Sequence, residues 1–178
     1  MKIIKHLILI FILFISINSS VLASRITDSY DGNIFPIYAG NGSIVPPQTT
    51  LEDSLKNHRV SVLFFYLDDS SASKSLAPVI SGLDLIWRNN IDIIALTTDE
   101  LQGLNKEDPN EANYYWKGLI PQTVIIDDNG IVRFDKDGKV NIDELNKTIG
   151  EIKGIDTSNS SFSVQSFNEY NSRISKEN

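Results

Sequence analysis

The segment VSVLFFYL, residues 60–67, is the part of this chain that most narrowly limits how it can fold. It is almost continuously apolar and rich in β-branched and aromatic residues, as expected of a strand that is buried on both faces. A second run of this kind, IDIIALT at residues 91–97, follows after a segment of helical length. The two strands should therefore be parallel and joined by a right-handed crossover.

The segment between these strands predicts an amphipathic helix from about Ser71 to Asn89. Its apolar residues recur at helical spacing and would form one buried stripe. They are Leu76, Val79, Ile80, Leu83, Ile86 and Trp87.

The second half of the chain predicts a hairpin and a closing helix. Residues 114–138 indicate two strands joined by a turn at Asp128, Asn129 and Gly130, which is a strong hairpin signal. The helix should begin after Asn141, a good N-cap with Glu144 three residues later, and end at Gly154. The expected fold class is therefore α/β, with a central mixed β-sheet flanked by helices.

The length of 178 residues favours a single folded domain with tails. We place this domain at residues 55–153. Residues 24–54, rich in Gly, Pro and aromatic residues, predict an irregular arm whose Tyr30, Phe35 and Tyr38 pack on the domain or on a partner. Residues 154–178 predict a flexible linker and C-terminal tail.

Residues 1–23 predict a signal peptide or an N-terminal membrane anchor. Lys2 and Lys5 precede an apolar run from residue 7 to residue 15, and small residues follow. In either case the domain should be exported. Loss of the two lysines would move the formal charge from −7 to −9, which argues against a nucleic-acid partner.

Two motifs, KSLAP at residues 74–78 and GLIPQTVIIDDNG at residues 118–130, resemble the thioredoxin fold. The resemblance covers roughly residues 55–153 and implies that Pro121 is the cis-proline beside the active-site turn. Lys74 and Pro78 match thioredoxin positions after the reactive pair. The places of the two cysteines are taken by Ser70 and Ser73, and that of a buried acid by Phe64.

The absence of cysteine from the chain excludes thiol chemistry by its own residues. A serine at the turn would need an adjacent base and an oxyanion hole to act as a nucleophile. The only histidine after residue 23 is His58. We therefore expect Ser70, Ser71 or Ser73 to cap the helix, and expect no catalytic residue and no cofactor.

The acidic residues of the hairpin, Asp127, Asp128, Asp135 and Asp137, resemble half of a calcium loop. A full loop needs further acidic positions and a closing Glu, which are missing here. Hairpin turn chemistry explains these residues better, and no metal site is expected.

Tyr114, Tyr115 and Trp116 allow two interpretations. They could form a short helical turn that packs on the sheet. Alternatively, together with Asp68, Asp69 and Pro121, they could flank a groove that binds an extended peptide or a loop of a membrane protein. Both interpretations could hold.

Most of the chain after residue 23 resembles the cyanobacterial thylakoid membrane photosystem I accumulation factor family. The segments that carry this resemblance are YDGNIFPIYAGNGSIVPP, FFYLDDS, YYWKGLIPQTVIIDDNG and the terminal SFNEYN. It implies a redox-inactive factor that aids assembly, accumulation or stability of photosystem I at the lumenal side of the thylakoid membrane. Its expected partners are photosystem I subunits or assembly intermediates. The alternative is a general lumenal or periplasmic peptide-binding or chaperone-like module.

Overall fold

The computed structural model describes residues 24–157. The predicted signal peptide or anchor at residues 1–23 lies outside the described residues, as does all of the predicted tail after residue 157.

Three α-helices and four strands are the main elements of the described residues. In chain order they are α1 (Leu51–Lys56), β1 (Val60–Tyr66), α2 (Ser71–Trp87), β2 (Ile91–Thr97), β3 (Gln122–Ile126), β4 (Val132–Asp137) and α3 (Ile142–Lys153). Short π- or 3₁₀-helical turns occupy Phe35–Ala39, Gly42–Ile44, Arg88–Asn90, Thr98–Leu101 and Ala112–Tyr115.

The four strands form one mixed sheet in the order β2-β1-β3-β4. β1 and β2 are parallel, whereas β3 is antiparallel to both β1 and β4. The predicted α/β thioredoxin-like fold, a central mixed sheet flanked by helices, is confirmed. It follows from β1–α2–β2 as a parallel unit and from the hairpin that adds β3 and β4.

Local sequence signals place the ends of the last elements as predicted. The side chain of Asn141 caps α3 by accepting a hydrogen bond from the Asp143 amide, and Gly154 ends this helix with φ of 67°. The predicted capping box with Glu144 does not form. The Glu144 carboxylate instead pairs with the Lys136 ammonium at 3.2 Å.

Apolar side chains bury both faces of the sheet, as the composition of β1 requires. On one face, alternate residues of β1 pack under α2 and α3. On the other face, Leu63 and Phe65 form a second cluster with Leu51 of α1 and Ile94 of β2. All seven residues of β1 are thus buried from solvent.

The arm, residues 24–54, is part of this core. Ile34 and Phe35 are fully buried, and the Phe35 ring contacts the Phe64 and Tyr66 rings edge to face, at centroid distances of 6.0 and 5.6 Å. A hydrogen bond of 3.0 Å from Asn41 to Asp84 holds the arm to α2. The aromatic residues of the arm were predicted to pack on the domain or on a partner, and Phe35 packs on the domain.

The arm then passes the outer edge of β2 and reaches the opposite face. Gln48 and Thr49 line two cavities of about 580 and 560 Å³. The first borders residues 91–93 of β2, and the second borders Ile94 and Leu96. The chain continues into α1, which spans residues 51–56. The predicted boundary between residues 54 and 55 therefore falls inside a helix.

Among residues 24–157, none of the helices is both long and apolar enough to cross a lipid bilayer.

Phe35→Ala should destabilise the protein by about 3 to 5 kcal/mol, because it removes a fully buried ring and leaves a cavity under the arm. The matched control is Tyr30→Ala, which removes a ring from the same arm that is 75% exposed. It should change the free energy of unfolding by no more than about 0.5 kcal/mol. Chemical denaturation measures both values. Equally small losses would show that the arm does not unfold with the domain.

Candidate functional site

The turn after β1 lies where the register of the sheet brings three strands side by side. Tyr66, the last residue of β1, is opposite Thr97 of β2, and Phe65 is opposite Gln122 of β3. The Ile120–Pro121 peptide bond is cis, as at the position that Pro121 matches in the thioredoxin fold. Pro121 therefore lies beside the turn that leads into α2.

The serines of the turn are engaged with the backbone. Ser70 is the N-cap of α2, and its hydroxyl accepts a hydrogen bond from the Ser73 amide at 3.3 Å. The Ser73 hydroxyl is buried and accepts one from the Leu67 amide, also at 3.3 Å. Capping is thus confirmed for Ser70. His58, the histidine considered as a base, instead contacts the Asp128 carbonyl oxygen in the hairpin turn.

Lys74 is fully buried in the first turns of α2. Its ammonium donates hydrogen bonds to the carbonyl oxygens of Ser24 at 3.3 Å, Thr27 at 3.1 Å and Ser29. It also forms an ion pair of 2.6 Å with Asp31. Burial of a charge is tolerated only when such partners replace water. Residues 24–31 supply the ion pair and all of these hydrogen bonds, and the Tyr38 ring lies 5.5 Å from the ammonium.

The charges at this contact reinforce each other. The hydrogen bond from Lys74 lowers the pKa of Asp31, and that from the Tyr38 hydroxyl lowers it further. Burial alone would lower the pKa of Lys74, but the Asp31 carboxylate and Tyr38 outweigh it, so this pKa is raised. Both groups are thus held in their charged forms at neutral pH.

A second carboxylate of the arm lies at the amino end of α2. Asp28 accepts a hydrogen bond of 2.7 Å from the Ser71 amide, and this bond lowers the Asp28 pKa. The amino end of a helix favours a negative charge, because its free amides and its dipole both point there. In a thiol enzyme such a position lowers the pKa of a cysteine. In this protein the arm places the Asp28 carboxylate at the amino end of α2.

The position predicted for a proton-relaying acid is apolar. Phe64 is fully buried, stacks on Tyr66 at 5.5 Å between ring centroids and contacts Phe35. Pro78 lies farther along α2, which continues unbroken from Ser71 to Trp87. The turn is therefore enclosed by the arm on one side and by aromatic rings beneath.

The predicted aromatic group is a short helical turn, as in the first of the two interpretations. Tyr115 and Trp116 pack against the cluster under α1, whereas Tyr114 is 45% exposed. The Gln122 side chain fixes this turn by accepting from the Lys117 amide and donating to the Tyr115 carbonyl oxygen.

The second interpretation needs Asp68 and Asp69 beside these rings. In the described part of the chain, no hydrogen bond, ion pair or ring contact joins either aspartate to the aromatic turn. Asp68 instead accepts a hydrogen bond of 2.9 Å from the Ile34 amide of the arm. The groove stays a prediction.

Of the acidic residues of the hairpin, Asp127 has the role in the turn that was expected of it. Asp127 accepts hydrogen bonds from the Asn129 and Ile131 amides and pairs with Arg133 at 2.7 Å. Asp135 pairs with Lys117. Residues 24–157 contain no cluster of three or more side chains suited to hold a metal ion.

Sequence reasoning missed the two carboxylates of the arm, Asp28 and Asp31. One signal could have revealed them. Lys74 has the helical spacing of Ala77 and Ser81, both buried, and a lysine on a buried face needs a carboxylate partner.

No protein-family model matches the chain. Over 162 residues it is 32% identical to the thylakoid membrane protein slr1796 of Synechocystis sp. (strain PCC 6803). That alignment covers 90% of this chain and 81% of the relative.

Two solved structures resemble the chain at low identity. One is chloroplastic thioredoxin z, with a TM-score of 0.46 and 15% identity, covering 58% of this chain and 88% of that one. The other comes from work on thiol resolution in yeast mitochondrial 1-Cys peroxiredoxin. Its TM-score is 0.43 and its identity 20%, covering 56% and 85% of the two chains.

Lys74→Met should destabilise the protein by about 3 kcal/mol, because it leaves Asp31 and three carbonyl oxygens without their cation. The control Lys147→Met removes a lysine whose side chain is 75% exposed in α3 and should have little effect. Denaturant unfolding compares them, and amide hydrogen exchange should show faster exchange at residues 24–31 in Lys74→Met alone. Unchanged exchange there would contradict the role of Lys74.

The contacts of the arm should weaken in acid. Asp28 and Asp31 have pKa values below the ordinary 3.8, so the stability that they contribute is complete above that value and is lost as pH falls below it. Asp31→Asn should therefore flatten the acid side of a plot of melting temperature against pH. Asp137→Asn, a change at an exposed residue of β4, should leave it as in the wild type. Parallel curves for all three proteins would refute this assignment.

Proposed function

Because this chain belongs to the family of the Synechocystis thylakoid membrane protein slr1796, we propose that it acts at the thylakoid membrane as a non-catalytic thioredoxin-like factor. Its role is to aid the assembly, accumulation or stability of photosystem I from the lumenal side. It acts by binding, without breaking or forming covalent bonds in its clients.

The observation that carries this proposal is the enclosure of the turn by the arm. The amide of Ser71 at the amino end of α2 is already bound to Asp28, and Lys74 is surrounded by residues 24–31. A catalytic turn must expose its nucleophile to a substrate. This turn buries Ser73 and uses Ser70 as a cap, so its geometry supports a structural joint.

Residue chemistry supports the same conclusion. The 178 residues include no cysteine, so the chain has no thiol with which to exchange a disulfide. A fold of this type keeps its rigid sheet when its reactive residues are replaced, because β1 and the helices are held by apolar packing. What remains is a stable surface that can bind another protein.

Deletion of the gene should lower the ratio of photosystem I to photosystem II in thylakoid membranes. Reintroduction of the gene should restore the ratio. Low-temperature fluorescence and immunoblots of both photosystems measure this. An unchanged ratio would contradict the proposed role in photosystem I assembly, accumulation or stability. It would favour the alternative, a general lumenal or periplasmic peptide-binding module with many unrelated clients.

The strain that lacks the gene can also be used to test whether the turn between β1 and α2 is catalytic. Ser70→Ala should restore the ratio as fully as the wild-type gene, because loss of an N-cap costs only about 1 kcal/mol and removes no reaction. Immunoblots of the protein itself control for its amount. If Ser70→Ala is present at the wild-type level but fails to restore photosystem I, the hydroxyl has a chemical role and the proposal of a non-catalytic factor is wrong.

A further inference from the structure

Exposed apolar side chains occur in the long loop that joins β2 to β3. Leu104, Tyr114 and Leu119 of this loop are 51%, 45% and 51% exposed. Single exposed apolar residues are common, but a group of them on one surface marks a contact with a partner or a membrane. These three residues come from separate parts of the loop, so the path of the loop decides whether they form one surface.

A side-chain hydrogen bond folds this loop back on itself. Asn113 is buried, and its side-chain amide donates to the Asn105 carbonyl oxygen. Leu104 precedes one partner of this bond in the chain, and Tyr114 follows the other. The bond therefore brings the two exposed side chains into the same region.

Trp116 joins the remaining residues to this region. Its indole N–H donates to the Leu119 carbonyl oxygen at 3.1 Å. The Lys106 ammonium donates to the Trp116 carbonyl oxygen at 2.9 Å and lies 4.4 Å from the centre of the indole ring. With the exposed lysine that follows Trp116, the loop surface consists of Leu104, Lys106, Tyr114, Trp116, Lys117 and Leu119.

The residue types of the loop surface are those of proteins that enter the boundary of a lipid bilayer. Tyrosine and tryptophan combine an apolar ring with a polar tip, and they favour the headgroup level of membranes. Lysine keeps its ammonium in water while its stem lies among apolar groups. Leucine supplies the apolar area that drives such binding. All four residue types occur together here.

The loop surface lies at the end of the domain at which residue 24 is fixed. Leu119 is two residues before Pro121, which lies beside the turn between β1 and α2. The Ser24 carbonyl oxygen is 3.3 Å from the ammonium of Lys74, in the first turns of α2. Residues 1–23, with their apolar run, are joined to the domain at this position. If they stay in a bilayer, they hold the loop surface close to it.

We propose that the loop surface docks the domain on a lipid bilayer, with Leu104, Tyr114 and Leu119 in the headgroup region and uncharged lipids as the partner. This inference rests on the proposed function, because it assumes that the protein acts at a membrane. It also gives Tyr114 and Trp116 an occupant different from the extended peptide of the groove hypothesis.

Charge at this end of the domain favours uncharged lipids over anionic ones. Exposed carboxylates of the same loop are Asp99, Glu100, Glu107, Asp108 and Glu111. They outnumber the two lysines of the loop surface, so an anionic headgroup would be repelled at low salt. The attraction must then come from the apolar and aromatic side chains.

The test uses the full chain in vesicles of phosphatidylcholine whose acyl chains carry bromine, with tryptophan fluorescence as the readout. Bromine quenches only a tryptophan that lies close to the acyl chains. The chain has two tryptophans, and the other one, Trp87, is 5% exposed. It is the last of the 17 residues of α2 and therefore lies about 24 Å from the amino end of this helix.

Wild-type protein should lose emission relative to vesicles without bromine, whereas Trp116→Phe should lose none. Flotation shows beforehand that both proteins are in the vesicles. Equal quenching in the two proteins would overturn the docking, because the quenched residue would then be Trp87. Absence of quenching in both would overturn it as well and leave a protein partner as the occupant of the loop surface.

A matched pair of double variants separates docking from folding. Leu104→Asn with Leu119→Asn should abolish the quenching of Trp116, because it removes the aliphatic contacts with the bilayer. Ile131→Asn with Ile155→Asn should leave the quenching unchanged. It removes side chains of equal exposure, 53% and 54%, from the hairpin turn and from the segment after α3. Neither variant should alter the free energy of unfolding by more than about 0.5 kcal/mol, because all four side chains are exposed. Equal effects of the two variants on quenching would contradict the assignment of the loop surface.

The lipid composition tests the second part of the proposal. Vesicles that include brominated phosphatidylglycerol should quench Trp116 less, since the exposed carboxylates repel its charge. Stronger quenching in these vesicles would show that the partner is an anionic lipid and that the choice of uncharged lipids is wrong.

Failure of the proposed function would be visible separately. If quenching depends on Leu104 and Leu119 while deletion of the gene leaves the photosystem ratio unchanged, the docking holds and the role in photosystem I is wrong. If deletion lowers the ratio while Trp116 is not quenched, the role in photosystem I holds and the docking is wrong.

Discussion

The enclosed ammonium of Lys74 is the interaction on which the rest of the structure depends. A buried cation needs several oxygen partners at once, and residues 24–31 wrap around it to provide them. That path brings Asp28 to the amino end of α2 and directs Phe35 into the core. The chain then passes β2 and enters α1 on the opposite face of the sheet. One charge in α2 thus fixes residues 24–31, a segment without regular secondary structure, to the domain.

This organisation changes what the turn between β1 and α2 can do. The end of a helix is an attractive place for an anion, and a reactive thiolate would normally make use of it. Here the same electrostatic advantage binds the arm of the protein to its own domain. The interaction of the helix end with a negative charge thus stabilises the contact between Asp28 and α2, where in a thiol enzyme it would activate a nucleophile. The absence of cysteine and the closed turn are therefore consistent with each other, in a fold that retains the cis-proline and the sheet.

The sequence was sufficient to predict the strands, their parallel and antiparallel pairing, the hairpin turn and the cap at Asn141, because each depends on local patterns of apolar and turn-forming residues. The course of the arm was beyond such reasoning. Its contacts join residues more than forty positions apart, such as Asp28 and Ser71, and no periodicity marks them. The capping box at Glu144 failed for a similar reason, since Lys136 on β4 offers that carboxylate a full positive charge.

The carbonyl oxygen of Ser24 lies 3.3 Å from the Lys74 ammonium, so the start of the described chain is fixed to the amino end of α2. Residue 24 therefore lies at the same end of the domain as the turn that follows β1. If residues 1–23 remain in place as an anchor, that end is tethered toward the bilayer and the hairpin turn at Asp128 points away from it. If they are removed, the domain can rotate freely. Cleavage would then decide which proteins can reach the carboxyl ends of the strands.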